Sequence, residues 1–318
     1  MSATLPIERR PLGRSELTVP RVALGCGNFG GVGSAPELFG QGLREDQAIA
    51  LMDAAWEQGI VHFDTADAYG GGRSERMIGS WMQTRGVRPA ITTKTFNPMA
   101  AGADHGLAPE RIVRQLESSL DRLDLDYVDL YLAHEFDPAV PLAETVGAFE
   151  DLRNAGKVRA YGVSNFDAAQ LEATLEVGAP VAVQNELSLL ARGDETAVLP
   201  LCERERISYL VFSPLAGGWL TGKYRRDVAF PEGSRMTQRP EPYTEFLADG
   251  TFDRLARLEQ IARTRECSMA GLALAWLLAD PRVTQVVVGP GRPEHLAPVR
   301  EALERPLSPA EHEEVGRC

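Results

Sequence analysis

The sequence predicts a (β/α)8 barrel: eight parallel strands closed into a cylinder, with helices outside. Two observations carry this. Eight short apolar runs alternate with helical patterns along most of the chain, and strict alternation implies parallel βαβ units. The chain has 318 residues, enough for eight such units in one domain spanning 1–318.

The strand runs are 21–26 (RVALGC), 61–66 (VHFDTA), 90–95 (AITTKT), 127–133 (YVDLYLA), 158–164 (VRAYGVS), 181–187 (VAVQNEL), 208–213 (SYLVFS) and 285–289 (QVVVG). Between them, residues 44–58 place Ile49, Leu51, Met52, Ala55 and Trp56 at helical spacing and stop at Gly59. A helix over 109–123 opens with Pro109 and Glu110, residue types suited to a first turn. Helices over 142–155 and 167–177 stop at Gly156 and Gly178. Ser308 and Glu311 have capping-box spacing, so a short helix is expected at the end.

Composition narrows the function. A formal net charge of −12 argues against nucleic acid or an anionic membrane as partner. The stretch MSATLPIERR has no apolar core of a secretory signal, and Met269–Ala279 is too short to span a bilayer. Cys26, Cys202, Cys267 and Cys318 have no metal-finger spacing; reduced thiols in a cytoplasmic protein are expected. Only three lysines, Lys94, Lys157 and Lys223, occur among 33 basic residues. In so arginine-rich a chain each lysine can mark a need for a compact ammonium; for Lys157, chance suffices.

Two motifs mislead. Gly25, Gly27 and Gly30 spell G-x-G-x-x-G after a strand, with Glu45 and Asp46 about 20 residues on. A dinucleotide fingerprint needs a helix starting at its third glycine. Here GVGSAPELFGQG follows, which reads as a flexible loop with the first helix beginning near Arg44. Gly217 to Lys223 matches G-x-x-x-x-G-K, but Tyr224 stands where a phosphate loop needs Ser or Thr for magnesium.

In such a barrel chemistry sits at the C-terminal strand ends. Strand two ends in Asp64 and Tyr69, strand three in Lys94, strand four in His134. Lys94 lies in an otherwise uncharged strand, so a buried ammonium there needs a carboxylate, and Asp64 is nearest by topology. A phenol is a poor acid near neutral pH, and an adjacent ammonium lowers its pKa. Tyr69, Lys94 and Asp64 therefore read as a tuned general acid, with His134 orienting a carbonyl oxygen. Each residue also has a structural reading: packing for Tyr69, an ion pair for Lys94 and Asp64, a core histidine for His134.

These residues lie in motifs that resemble the aldo-keto reductase family. GIVHFDTADAYGGGRSERMIG is similar to the family signature carrying its Asp and Tyr; TTK and DLYLAH resemble the segments of its Lys and His. GVSNF, VQNELSLL and FSPLAGGWLTGKY resemble its cofactor segments. The resemblance runs over nearly the whole chain. It implies a barrel closed below by an N-terminal hairpin, here about Glu8 to Val19, and NADPH rather than NADH as cofactor. Hydride would pass to a carbonyl carbon while Tyr69 protonates the oxygen. Ser164, Asn165 and Gln184 would hold the carboxamide, Phe212 would lie under the nicotinamide ring, and Ser213 and Leu215 would meet the phosphates. Lys223 and Arg235 would add phosphate contacts. Gly289, Gly291, Arg292 and His295 would meet the adenosine end.

Two departures follow from the same comparison. Phe212 stands where Tyr or Trp is usual, and Pro298 and Val299 replace the Glu-Asn pair expected to grip adenine. Phe29 and Trp219 are the candidate apolar walls for a small carbonyl substrate, although Trp219 can equally pack its own loop. The short end of the chain suggests an open pocket. Alternative readings are a sugar or specialised-pathway reductase of the same fold, and a redox-sensing regulatory subunit. No metal site is expected.

Overall fold

The computed structural model describes residues 7–318; the first six residues of the stretch read for a signal lie outside the described residues. A hairpin of β1 (Arg9–Pro11) and β2 (Thr18–Pro20) precedes the barrel. The barrel strands are β3 (Val22–Gly25), β4 (His62–Asp64), β5 (Ala90–Thr95), β6 (Val128–Ala133), β7 (Val158–Ser164), β8 (Ala182–Glu186), β9 (Ser208–Phe212) and β10 (Val283–Val288). Each pairs in parallel with the next, and β10 returns to β3 to close the cylinder. All eight expected strands are present. β4 is shorter than its apolar run, and β10 starts earlier, at Val283.

The helices are α1 (Glu45–Glu57), α2 (Arg73–Arg85), α3 (Pro109–Leu123), α4 (Leu142–Asn154), α5 (Ala168–Val177), α6 (Val198–Glu205), α7 (Arg235–Gln238), α8 (Asp249–Thr264), α9 (Met269–Ala279), α10 (Ala297–Glu304) and α11 (Pro309–Gly316). α3 shows why they pack as they do. Ile112, Leu116, Leu120 and Leu123 form one buried stripe against the barrel. Each such side chain stabilises the fold by about 1.5–3 kcal/mol. Gly59 and Gly156 follow α1 and α4 in the left-handed region, with φ of 86° and 76°. Gly178 instead leaves α5 in extended backbone. Ser308 and Glu311 do form the capping box that starts α11.

Strand alternation sends every second side chain inward. At the lower end Leu130, Leu132, Ala160, Ala182 and Leu210 pack against Leu12 and Val19 of the hairpin. Arg10 ties the hairpin to the start of β10, donating to the Pro281 and Val283 carbonyls at 2.9 and 3.0 Å. Gly13 N–H donates to Ser208 Oγ at the start of β9, at 2.7 Å. The hairpin thus plugs the N-terminal end, leaving the C-terminal mouth for chemistry.

The loop after β3 is not the flexible connection its glycines suggested. Gly30 N–H bonds the Leu43 carbonyl, Leu43 N–H the Asn28 carbonyl, and Gly33 N–H the Gly27 carbonyl. A Cβ at Gly42 would lie 2.1 Å from the Gly31 carbonyl oxygen, so glycine there permits close chain crossing rather than mobility.

Candidate active site

Asp64 ends β4, and Lys94 stands in the neighbouring β5 two residues beyond the partner of Asp64. Both point into the barrel, and Lys94 is fully buried. Its ammonium donates to Asp64 Oδ1 at 2.5 Å and to the Thr65 carbonyl at 2.8 Å. It also lies 5.1 Å from the centroid of the Tyr69 ring. Burial alone pulls the Lys94 pKa down, but Asp64 and Tyr69 outweigh it and the net direction is up. The charge therefore persists inside the barrel.

Tyr69 follows β4 in a short turn, its ring against Gly27, where a Cβ would sit 3.5 Å away. Burial pushes its pKa above 10.0; Lys94 pulls it back but does not overcome burial. The sign differs from the sequence expectation, because desolvating a phenolate costs more here than one ammonium returns. Tyr69 is held as a neutral phenol with a proton to give.

His134 directly follows β6 and meets Tyr69 edge-on, with ring centroids 5.6 Å apart. Burial, then Lys94, pushes its pKa down to about 3, so the imidazole is neutral. Asn97 Nδ2 lies 3.2 Å from Nδ1. Asn165, at φ 58°, donates from Nδ2 to the His134 carbonyl at 2.9 Å and to Glu135 Oε1 at 3.2 Å.

Gln184 crosses the barrel, its Nε2 donating to Asp64 Oδ2 at 2.7 Å, while Ser164 Oγ bonds the Gln184 carbonyl at 2.8 Å. Ser164, Asn165 and Gln184 thus converge on the side of the mouth facing Asp64. Phe212, partly buried, ends β9 opposite Glu186. Ser213 turns the chain in the left-handed region at φ 51°, and Leu215 leads into a tight glycine turn.

That turn packs closely against two side chains. A Cβ at Gly218 would lie 2.5 Å from Lys223 Nζ, and one at Gly217 would lie 2.4 Å from the Tyr243 ring. Lys223 is exposed, packs on the Tyr224 ring at 4.9 Å and has no carboxylate partner among the described residues. Burial, then Arg292 and Lys223, pushes the His295 pKa down. Arg292 faces Glu294 at 3.8 Å on the surface. Gly289 and Gly291 are exposed, and Gly291 N–H bonds His295 Nδ1 at 3.3 Å. Arg235, partly buried, lies near enough to Tyr243 to act on its phenol.

The Aldo/keto reductase family model matches residues 21–318. The chain belongs to the aldo/keto reductase family. It is 34% identical over 323 residues to a putative voltage-gated potassium channel subunit beta of Schizosaccharomyces pombe, covering 93% of this chain and 88% of that one. It is 31% identical to the NADH-specific methylglyoxal reductase of Escherichia coli, covering 96% of each. Among solved structures, the glycerol dehydrogenase AKR11B4 from Gluconobacter oxydans matches with a TM-score of 0.83 and 26% identity, over 98% of this chain and 95% of that one. This chain is therefore an NAD(P)H-dependent oxidoreductase of the aldo-keto reductase type.

Two residues expected at the pocket of this aldo-keto reductase are packed in its interior. Trp219 is fully buried among Tyr224, Phe230, Phe246 and Phe252, with ring centroids 5.1 to 6.2 Å away. It forms the core of the segment after β9. Phe29 is also fully buried, held by a bridge to Leu43. Neither is exposed in this structure.

Other residues of this reductase were missed. Asn97 contacts His134, and Arg111, fully buried, braces the loop after β5. Asp67 is fully buried, its Oδ2 accepting from Thr95 Oγ1 at 2.7 Å. Burial pushes its carboxyl up to about 7. Its place three residues after Asp64 in DTAD was the only sequence cue. Lys157, as expected, only pairs on the surface with Glu117. Among the described residues no cluster of three His, Cys, Asp or Glu side chains is placed for a metal, and no helix can span a membrane.

Proposed function

We propose that the chain is a cytoplasmic, NADPH-dependent reductase of small aldehydes or ketones, with Tyr69 as general acid. One observation carries this reading: a neutral, buried phenol packed beside a buried ammonium that Asp64 keeps charged, next to a neutral imidazole. That set can give a proton to a carbonyl oxygen while holding the oxygen in place.

NADPH supplies the hydride when bound. The residues present fit it. Gln184 commits Nε2 to Asp64, which leaves its Oε1 to accept from a carboxamide. Ser164 and Asn165 stand beside it, and Phe212 offers an apolar ring face. The glycine turn at Gly217 and Gly218 lets Tyr243 and Lys223 lie close against its backbone, and Lys223 there would meet diphosphate near Ser213 and Leu215. Lys223, Arg292 and His295 would meet a 2′-phosphate, with Arg235 near the diphosphate.

At the reacting carbon, Tyr69 donates its proton as oxygen gains charge. Lys94 steadies the phenolate left behind, and Asp64 holds Lys94. His134 donates to the carbonyl oxygen and orients it. The preference for NADPH rests on Lys223, which has no carboxylate partner among the described residues, and on the Arg292 guanidinium. Titrations with NADPH and NADH test it, with tighter NADPH binding expected and much of the preference lost in Lys223→Ala. Equal affinities for the two cofactors would rule the preference out.

A further inference from the structure

The His134 ring can orient a carbonyl only if its proton is on the nitrogen facing the substrate. A neutral imidazole carries one proton, and its position depends on what the other nitrogen meets. Here Asn97 Nδ2, a donor, faces His134 Nδ1 at 3.2 Å. Nδ1 must then accept, which leaves the proton on Nε2. Nε2 has no protein partner among the described residues.

We propose that Asn97 is a positioning residue that fixes the His134 proton on Nε2, and that buried Arg111 holds Asn97 in place. The proposal rests on the reading of His134 as the group that orients the carbonyl. Arg111 Nη2 donates to the Asn97 carbonyl at 2.8 Å, and Nη1 donates to Thr95 Oγ1 at 2.8 Å and to the Gly106 carbonyl at 3.0 Å. Thr95 Oγ1 in turn donates a hydrogen bond to Asp67 Oδ2 at 2.7 Å. Gly106 N–H closes the loop onto the Phe96 carbonyl at 2.7 Å. Both ends of the His134 peptide are tied as well, its N–H to the Thr95 carbonyl at 2.9 Å and its carbonyl to Asn165. Ring and backbone are thus fixed from three sides.

The charged and titratable groups around the ring are few. Lys94 from β5 opposes protonation, Tyr69 meets the ring edge-on, and Glu135, next in the chain, is engaged by Asn165. No carboxylate is bonded to either ring nitrogen among the described residues. A carboxylate at position 97 would reverse this, because an acceptor facing Nδ1 demands a proton there.

The experiment is nitrogen-15 NMR of protein with labelled histidines, five in number, with the His134 signals assigned by their loss in His134→Gln. The wild type is expected as the Nε2–H tautomer at neutral pH. Asn97→Asp is expected to move the ring to Nδ1–H or to the imidazolium, and to reduce kcat on the order of 10–100-fold with NADPH affinity unchanged. Asn97→Ala, which adds no charge, is expected to give mixed tautomers and a smaller loss; Asn97→Ser, which keeps a donor, should restore part of it. A wild-type Nδ1–H tautomer, or an unchanged tautomer in folded Asn97→Asp, overturns the proposal. The NMR arm needs no turnover, so a protein inactive on every carbonyl would defeat the reductase reading separately.

Discussion

Gln184 Nε2 donates to Asp64 Oδ2 at 2.7 Å, across the barrel from β8 to β4. Asp64 is thereby held by Gln184 on one oxygen and by Lys94 on the other. Gln184→Glu replaces the donor with an acceptor and sets two carboxylates against each other. Weakened support for Lys94 should reduce kcat roughly 10–100-fold, whereas Gln184→Met should cost less. Steady-state kinetics of both variants, with folding checked by circular dichroism, make the comparison; equal losses would show that charge is not the cause.

The pH dependence of reduction follows from two opposite shifts. Tyr69 is pushed above 10.0 by burial against the pull of Lys94, and His134 is pushed down to about 3 by burial and by Lys94. Both groups stay in their working forms across the neutral range. kcat/KM for reduction should be level from about pH 5 to about pH 9 and fall only on the alkaline side as Tyr69 ionises. Tyr69→Phe should abolish that alkaline limb along with turnover. A steep loss near pH 6.5 would mean that His134 titrates in its ordinary range.

Asp67 gives a stability test. Burial raises its carboxyl from 3.8 to about 7 in the folded chain. Between those values the native state binds more protons than the unfolded state, so stability falls as pH rises through the window and the loss is complete above about pH 7. Asp67→Asn keeps an acceptor for Thr95 and removes the charge. It should be more stable than wild type at pH 8, by on the order of a few kcal/mol, with the gap closing toward pH 4. Thermal or urea melts at the two pH values measure it; a gap independent of pH would contradict the account.

Trp219 separates a core role from a pocket role. Four aromatic neighbours surround it and no part of it is exposed. Trp219→Ala should cost about 3–5 kcal/mol of stability through the cavity it leaves. At temperatures where the variant stays folded, KM ratios among carbonyl substrates of different size should not change. A large selective change in those ratios without destabilisation would return Trp219 to the pocket wall.

The barrel was legible because its strands are apolar on both faces and its connections are marked by helix caps and glycines. The Asp64, Lys94 and His134 positions were legible because strand ends in a parallel barrel converge on one mouth, and because Lys94 is an isolated charge in an uncharged strand. The burial of Phe29 and Trp219 was not legible, since an aromatic residue in a loop reads alike whether the loop packs on it or presents it. The sign of the Tyr69 shift was hidden for a related reason: it depends on desolvation, which no sequence spacing reports. Asn97 escaped notice because its importance lies in one contact to a residue 37 positions away.

The central claim is that Tyr69 protonates a carbonyl at this site. The most direct measurement is NADPH oxidation over a panel of aldehydes and ketones by wild type and Tyr69→Phe, with cofactor binding measured for both. The account predicts turnover by wild type and its loss in Tyr69→Phe while NADPH still binds. Undiminished turnover in Tyr69→Phe would contradict it, as would a wild type that binds NADPH yet reduces no carbonyl.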